Sequence, residues 1–145
     1  MSREYPERPF VGVGAVIFRG ERVLLIQRGK PPRVGQWSLP GGVQEVGETV
    51  REAAVREVME ETSIEAEIKG LVDVVDSIQH DEQGRVRLHY TLVDVWGEWR
   101  SGEPVAGDDA MGAAWRTLPE IEGLGLWSET LRIIAEALKL RSAAA

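Results

Sequence analysis

The stretch Val50–Thr62 constrains the fold of this 145-residue chain most, because it contains neither glycine nor proline. Thr49 precedes it, and Glu52 follows Thr49 by three residues, which is the capping-box pattern of a helix start. At about 100° per residue the apolar side chains of the stretch fall on one broad face: Val50, Ala53, Ala54 and Val58. The stretch is therefore predicted to be a helix that buries this face against another element.

Runs rich in Val, Ile and Leu lie on both sides of this helix and are typical of β-strands. Before the helix, strands are predicted at Phe10–Phe18 and Arg22–Arg28, with a turn at 19–21 between them. After the helix, strands are predicted at about Ala66–Gln79 and Arg85–Trp96, with a hairpin loop at Asp81–Gly84. Proline and glycine are frequent between residues 29 and 42, and this segment is predicted to be a loop.

The C-terminal part contains a polar segment at 97–112, which is predicted to be a long loop, and a short strand at Ala113–Thr117. Ser128 is the predicted cap of a last helix, with a frayed tail at 141–145 and with apolar side chains at helical spacing: Leu131, Ile134, Ala135 and Leu138. The element order predicts an α+β or mixed-sheet layered fold, a sheet with a helix on each side.

Length and composition exclude several classes of protein. The length predicts one domain over residues 1–145, with an ordered core at about 8–140. The chain contains 17 Lys and Arg against 24 Asp and Glu, so its net charge of −7 disfavours binding to nucleic acid. It contains no cysteine, which excludes disulfides and thiolate chemistry. No signal peptide or membrane span is visible, and a cytoplasmic protein is the default expectation.

The second half of the predicted helix carries three carboxylates on one side, at Glu57, Glu60 and Glu61. They repel one another, and they lie towards the helix end at which the macrodipole disfavours anions. One interpretation is a solvated acidic face whose charges are partly paired with Arg51 and Arg56. The other is a site for a hard divalent cation, since Mg²⁺ prefers carboxylate oxygens.

The wider spacing favours the second interpretation. Residues 42–64 resemble the signature of the Nudix hydrolases, G-x5-E-x7-R-E-U-x-E-E-x-G-U with U bulky and apolar, through these residues: Gly42, Glu48, Arg56, Glu57, Val58, Glu60, Glu61 and Ile64. The segment from Trp37 to Gly42 also resembles the family's entry into the motif. Ser63 departs from the pattern, where the family has glycine; a glycine just past a helix end often adopts the left-handed conformation. Since this change removes no charge, we expect it to affect local geometry more than chemistry.

The resemblance implies a Nudix-type α/β/α sandwich that hydrolyses a phosphoanhydride with the help of Mg²⁺ or Mn²⁺. By motif position, the metal ligands would be the carboxylates of Glu57, Glu60 and Glu61 together with the carbonyl of Gly41. Glu57 or Glu61 would alternatively orient or deprotonate the attacking water. Arg56 would hold a neighbouring glutamate in its working rotamer.

Two further acids are implied by the same resemblance. Glu48 would bind metal through water or help to fold the loop, and the motif does not separate these two roles. Many family members use an additional acid from a later loop as a base or a metal ligand. Asp109 is the preferred candidate here, with Asp108 as the alternative.

Substrate contacts are predicted from the loop before the motif. Arg28 and Arg33 are candidate phosphate-binding cations, and Trp37 is a candidate for stacking on a base. The segments 27–42 and 105–109 resemble a bacterial subgroup similar to ADP-ribose pyrophosphatases. The first hypothesis is therefore hydrolysis of a nucleoside diphosphate linked to a second group, with ADP-ribose as first candidate and AMP and ribose 5-phosphate as products.

Two alternatives stay open from the sequence. One is a nucleoside triphosphate pyrophosphohydrolase that removes oxidised nucleotides and releases pyrophosphate. The other is a nucleotide-binding module that keeps the fold without turnover; it predicts degraded catalytic acids. The expected partner is a small nucleotide substrate, with neither nucleic acid nor membrane, and both a monomer and a homodimer are compatible with the sequence.

Overall fold

A mixed β-sheet forms the centre of the protein in the computed structural model, which describes residues 2–30 and 33–145. The strands are β1 (Phe10–Arg19), β2 (Arg22–Arg28), β3 (Trp37–Ser38), β4 (Gly41–Val43), β5 (Glu65–His80), β6 (Val86–Ser101) and β7 (Ala110–Thr117). The helices are α1 (Val50–Thr62), α2 (Leu118–Glu122) and α3 (Ser128–Ala144). None of the helices in these two ranges is long and apolar enough to cross a membrane.

Strand β1 organises the sheet by pairing along both of its edges. It runs parallel to β6 on one side, where Gly14 lies opposite Asp94. Its other edge is shared: Gly14 pairs with Gly41 of the antiparallel β4, and Phe18 pairs with Val23 of the antiparallel β2. The sheet order is β3-β2-β1-β6-β5, with β7 added on β2. The point at which β4 replaces β2 beside β1 brings the glycine pair of β4 towards α1.

One helix packs on each face of this sheet. On one face Ala53, Ala54 and Val58 of α1 are buried in a cluster with residues of β1 and β6 such as Ala15 and Val95. On the other face the buried residues of α3 join a second cluster. The alternating sides of β1 supply both clusters, as strand geometry requires. The predicted sheet between helices and the predicted apolar face of α1 are therefore confirmed.

The last helix differs from its prediction in its ends and in its buried face. The N-cap is Trp127, without a side-chain capping hydrogen bond, so Ser128 is not the cap, and the helix continues to Ala144 instead of fraying from residue 141. Ile134 is buried as predicted, and Leu131 and Leu138 pack partly buried against the same cluster, but Ala135 is exposed, while Ile133 and Ala137 are buried. The buried face of the helix is therefore rotated about the helix axis by less than one residue step, away from Ala135 and towards Ile133 and Ala137.

The predicted loop at 97–112 is wrong at both ends. Strand β6 runs to Ser101 because its pairing with β5 continues beyond Trp96, and β7 already begins at Ala110, which leaves a loop at 102–109. Gly97 lies within this pairing, where a Cβ would overlap the backbone of Glu67. The glycine therefore permits close approach of two strands and does not mark a loop.

Candidate active site

The local structure of α1 begins with its caps. The Thr49 hydroxyl accepts a hydrogen bond from the Glu52 N–H at 3.1 Å, and the Glu52 carboxylate accepts one from the Thr49 N–H at 2.9 Å. This pair completes the predicted capping box. At the other end Ser63 has φ 65°, the left-handed conformation, and its N–H donates to the Met59 carbonyl. The helix thus ends where the motif places it, with serine in a conformation that favours glycine.

Arg56 is the cation around which the acids of the site are arranged. Its guanidinium donates two hydrogen bonds to the Glu48 carboxylate, at 2.6 and 2.9 Å, and one to Glu57 at 2.8 Å. It also donates to Glu60 at 3.3 Å and to the Val43 carbonyl at 3.2 Å. The hydrogen bonds from Arg56 lower the pKa of Glu48 to about 2, so Glu48 stays ionised. Arg56 therefore joins the helix to the loop before it.

The contacts of Glu48 favour the loop-folding role over the metal-binding role. Besides the Arg56 contacts, its carboxylate accepts the Glu45 N–H at 2.8 Å, and its carbonyl accepts the Gln44 side-chain amide at 2.8 Å. These bonds tie the turn at 44–48 to α1. Direct participation of Glu48 in metal binding would require part of this network to rearrange.

Glu61 is the most enclosed acid of the motif, with 7% of the residue exposed. It accepts a hydrogen bond from the Gly41 N–H at 2.7 Å. Burial raises the pKa of Glu61 to about 7, and the nearby charges of Glu57 and Asp108 act in the same direction against the Gly41 bond. The surroundings of Glu61 therefore disfavour its ionised form, and a bound cation would stabilise that form.

Glu57 lies directly against the backbone of β4. A Cβ on Gly42 would come within 2.5 Å of the Glu57 carboxyl carbon, so only glycine leaves room for this side chain. Burial also raises the pKa of Glu57, although Arg56 acts against this effect. The Gly41–Gly42 pair therefore has two roles, since one glycine binds Glu61 through its N–H and the other makes room for Glu57.

The donor chemistry fits a hard divalent cation, although the acids are turned towards partners within the chain. Glu60 is 44% exposed at its side chain and contacts Arg56. Across residues 2–30 and 33–145 no three acidic or histidine side chains form a ready-made metal cluster. Glu57 would hold the ion while one of its oxygens stays on Arg56, and Glu61 would hold it after turning from the Gly41 N–H, with Glu60 at the solvent side and the Gly41 carbonyl as an additional oxygen.

The two late acids have different surroundings. Asp109, the preferred sequence candidate, forms an ion pair with Lys30 at 2.6 Å, and its carbonyl accepts the Gly29 N–H. Asp108 has a positive φ of 54°, and its charge contributes to the raised pKa of both Glu57 and Glu61. The electrostatics therefore favour Asp108, the alternative, as the loop acid that faces the motif.

The predicted substrate contacts also separate. Arg28 is close enough to lower the pKa of Glu61 by its charge, which places a cation beside the acids. Arg33 is exposed, and within the described ranges its side chain forms neither a hydrogen bond nor an ion pair with these acids. Trp37 is half-buried in the cluster on the α3 face, with the Arg116 guanidinium 5.2 Å from its ring centroid. Trp37 therefore packs against the core, and its stacking on a base stays a prediction.

One buried acid was missed from the sequence. Asp94 lies within β6 at 8% exposure, on the face that packs against α3. A signal was present, because Asp94 is the one charged residue in the apolar run from Leu92 to Trp96. Buried carboxylates are uncommon without a partner or a function.

Comparison with known proteins agrees with this geometry. A family model for the NUDIX domain matches residues 8–137. A Methanocaldococcus jannaschii protein named ADP-ribose pyrophosphatase is 39% identical over 123 residues, which are 85% of this chain and 70% of that protein. A Mycobacterium tuberculosis protein with the provisional name 8-oxo-dGTP diphosphatase 2 is 38% identical over 111 residues, 75% of this chain and 74% of that protein.

Solved structures give the same result. The crystal structure of a MutT NUDIX hydrolase from Burkholderia pseudomallei superposes with a TM-score of 0.76 at 33% identity, and the match covers 90% of this chain and 98% of that one. The non-catalytic module considered from the sequence predicts degraded catalytic acids, whereas Glu57, Glu60 and Glu61 are all present, so this alternative is not retained. This chain belongs to the Nudix hydrolase family and is a pyrophosphohydrolase.

Proposed function

We propose that this enzyme is a metal-dependent hydrolase of nucleoside diphosphates linked to a second group, with ADP-ribose as the first substrate candidate and AMP and ribose 5-phosphate as the products. The observation that carries the proposal is the pair of enclosed acids, Glu57 and Glu61, whose pKa values are both raised by burial. A site that gathers like charges out of water favours a bound cation. The name of the M. jannaschii relative supports ADP-ribose as the candidate.

The residues of this chain would divide the chemistry as follows. A divalent ion, Mg²⁺ or Mn²⁺, would neutralise charge on the diphosphate oxygens and acidify a water molecule. Glu57, Glu61 and the exposed Glu60 would hold it, and Asp108 would add negative charge from the loop. Arg28 would offset the phosphate charge at the entrance. Arg56 would keep Glu57 in position through its 2.8 Å contact, which makes it a positioning residue.

A product-resolved hydrolysis screen tests this proposal. ADP-ribose and other nucleoside diphosphate sugars are compared with normal and oxidised nucleoside triphosphates, with Mg²⁺ and then with Mn²⁺. AMP with ribose 5-phosphate in equal amounts is the expected result for ADP-ribose. Release of monophosphate from none of the diphosphate substrates would refute it.

Variants connect the result to the site. Glu61→Gln removes the enclosed charge and is expected to lower kcat strongly, while the control Glu82→Gln changes an exposed acid in the hairpin turn between β5 and β6. Unchanged hydrolysis in Glu61→Gln would contradict the assignment of this residue. Sedimentation of the same samples separates a monomer from a homodimer.

The second candidate is a nucleoside triphosphate pyrophosphohydrolase. The provisional name of the M. tuberculosis relative favours it, at an identity similar to that of the archaeal protein. The same acids would serve, and the products would be a nucleoside monophosphate and pyrophosphate. The screen distinguishes the two candidates directly by its products.

A further inference from the structure

Asp94 is a buried carboxylate without a partner. The residue is 8% exposed, and among the described residues its side chain takes part in neither a hydrogen bond nor an ion pair. Burying a charged group without compensation is costly, and most buried polar groups are hydrogen-bonded. A group of this kind is expected to receive its hydrogen bond from something outside the chain.

The carboxylate is not sealed inside the protein. Within the described ranges, the indole nitrogen of Trp115 is the one fully enclosed side-chain polar atom that lacks a partner, so the Asp94 oxygens retain contact with the surface. Two glycines of β1 make room for the side chains of β6 on this face. A Cβ on Gly14 would overlap an Asp94 oxygen, and a Cβ on Gly12 would come within 2.7 Å of Leu92. The glycines of β1 thus let the Asp94 and Leu92 side chains lie directly against the β1 backbone.

The backbone of β1 lies between Asp94 and the glycine pair of the acid site. Gly14 lies opposite Asp94 on one side and opposite Gly41 on the other. Gly41 in turn donates its N–H to Glu61. Two interstrand steps separate the backbones of Asp94 and Gly41, about 10 Å. Asp94 lies on the α3 face of the sheet and Glu61 on the α1 side, and the segment between β3 and β4 joins the two, because Leu39 packs in the cluster on the α3 face and Gly41 binds Glu61. A ligand that follows this segment from the acid site reaches the face on which Asp94 lies.

The charges around Asp94 select the chemistry of that ligand. Arg132, the cation whose charge acts on Asp94, is already engaged with Asp73 at 3.0 Å and with Glu129 at 2.9 Å. The surroundings of Asp94 are therefore acidic and oppose a phosphate. They favour a group that donates hydrogen bonds, and the half-buried Leu92 and Leu39 on the same face supply apolar surface for a flat ring.

We infer that Asp94 selects the nucleobase of the substrate by accepting a hydrogen bond from the exocyclic amine of adenine. This inference rests on the proposed function in taking a nucleotide as the substrate. It gives the buried carboxylate the donor that the chain does not provide. It also predicts discrimination against hypoxanthine, which carries an oxygen where adenine carries the amine, because two acceptors would then face each other.

Binding of AMP and of IMP by calorimetry tests the inference. The wild type at about pH 8, where Asp94 is ionised, is expected to bind AMP about ten- to a hundredfold more tightly than IMP, as one hydrogen bond to a charged group provides. Asp94→Asn keeps the shape but introduces a donor, so the preference is expected to fall close to one or to reverse. Asp76→Asn, an exposed acid on β5, is the matched control and should keep the wild-type preference.

The ratio of the two affinities is informative even if a variant is partly unfolded, since both ligands see the same folded fraction. A purely structural role of Asp94 would leave this ratio unchanged. An unchanged ratio in Asp94→Asn, equal binding of AMP and IMP by the wild type, or binding of neither would overturn the inference. If the ratio depends on Asp94 while ADP-ribose is not hydrolysed, the inference stands and the proposed function fails. If ADP-ribose is hydrolysed while the ratio does not depend on Asp94, the proposed function stands and only the inference fails.

Discussion

Replacing Arg56 by glutamine is expected to destabilise the protein more than the same change at Arg51 on the same helix. The Arg56 guanidinium donates five hydrogen bonds, and its side chain is 22% exposed. Arg51 donates one, to the Ile68 carbonyl at 2.7 Å. The two substitutions remove the same charge from the same helix, so their difference isolates the network.

The expected size follows from the contacts. A hydrogen bond to a charged group contributes about 1.5–3 kcal/mol, and removing one partner of an enclosed ion pair costs about 3–5 kcal/mol. The five bonds share one side chain and are not additive, and part of the network is exposed, which reduces the sum. We therefore expect a loss of about 2–4 kcal/mol in the free energy of unfolding for Arg56→Gln and about 1 kcal/mol for Arg51→Gln.

Urea unfolding measures both values. The midpoint should fall for both variants at an unchanged m-value, with the larger fall for Arg56→Gln. A double-mutant cycle with Glu57→Gln should give a non-zero coupling energy, since the two side chains are in contact. Equal losses at the two arginines would refute the reasoning, because the network would then contribute nothing beyond a single surface contact.

Three further predictions concern the backbone and the titration of the site. Gly42→Ala should lower kcat about a hundredfold, because a Cβ would displace the Glu57 carboxylate. The control Gly123→Ala should leave kcat unchanged, since its Cβ would meet only ordinary contacts. Steady-state kinetics on the best substrate from the screen measures both values, and equal rates would count against the packing of Glu57 on Gly42. Ser63→Gly should raise the free energy of unfolding by about 0.5–1 kcal/mol, because the residue has φ 65°; a urea midpoint that does not rise would show that serine carries no strain there. Burial raises the pKa of Glu61 from 4.5 to about 7, so the folded state binds this proton more tightly than the unfolded state, and the contribution of Glu61 to stability falls as pH rises through that window. In metal-free buffer the fall of Tm over this range should therefore be smaller in Glu61→Gln than in the wild type, and identical pH profiles would contradict the shift.

Helix α1 was predictable from the sequence because its limits are set locally. The Thr49–Glu52 pair begins it, and its interior lacks glycine and proline. Helix α2 could have been found in the same way, since Thr117 and Glu120 form a second capping box with a proline in the first turn. The ends of β5 and β6 could not, because they depend on a long pairing with several register shifts that only the folded sheet defines.

The acids of the site were predictable from the sequence, but their partners were not. The spacing of Glu57, Glu60 and Glu61 identified the motif from the sequence. The partners of these acids come from distant segments, such as the Gly41 N–H on Glu61 and the charge of Asp108, and no local pattern predicts them. Asp94 was overlooked because its lack of a partner is a property of the packed sheet.

The most direct test of the account is Mn²⁺ binding measured by electron paramagnetic resonance in the absence of substrate. The wild type is compared with the double variant Glu57→Gln/Glu61→Gln and with Glu82→Gln. The account predicts that the wild type and Glu82→Gln bind Mn²⁺ alike, and that the double variant loses more than about tenfold in affinity. Equal Mn²⁺ binding by all three proteins would contradict the claim that these carboxylates hold the metal.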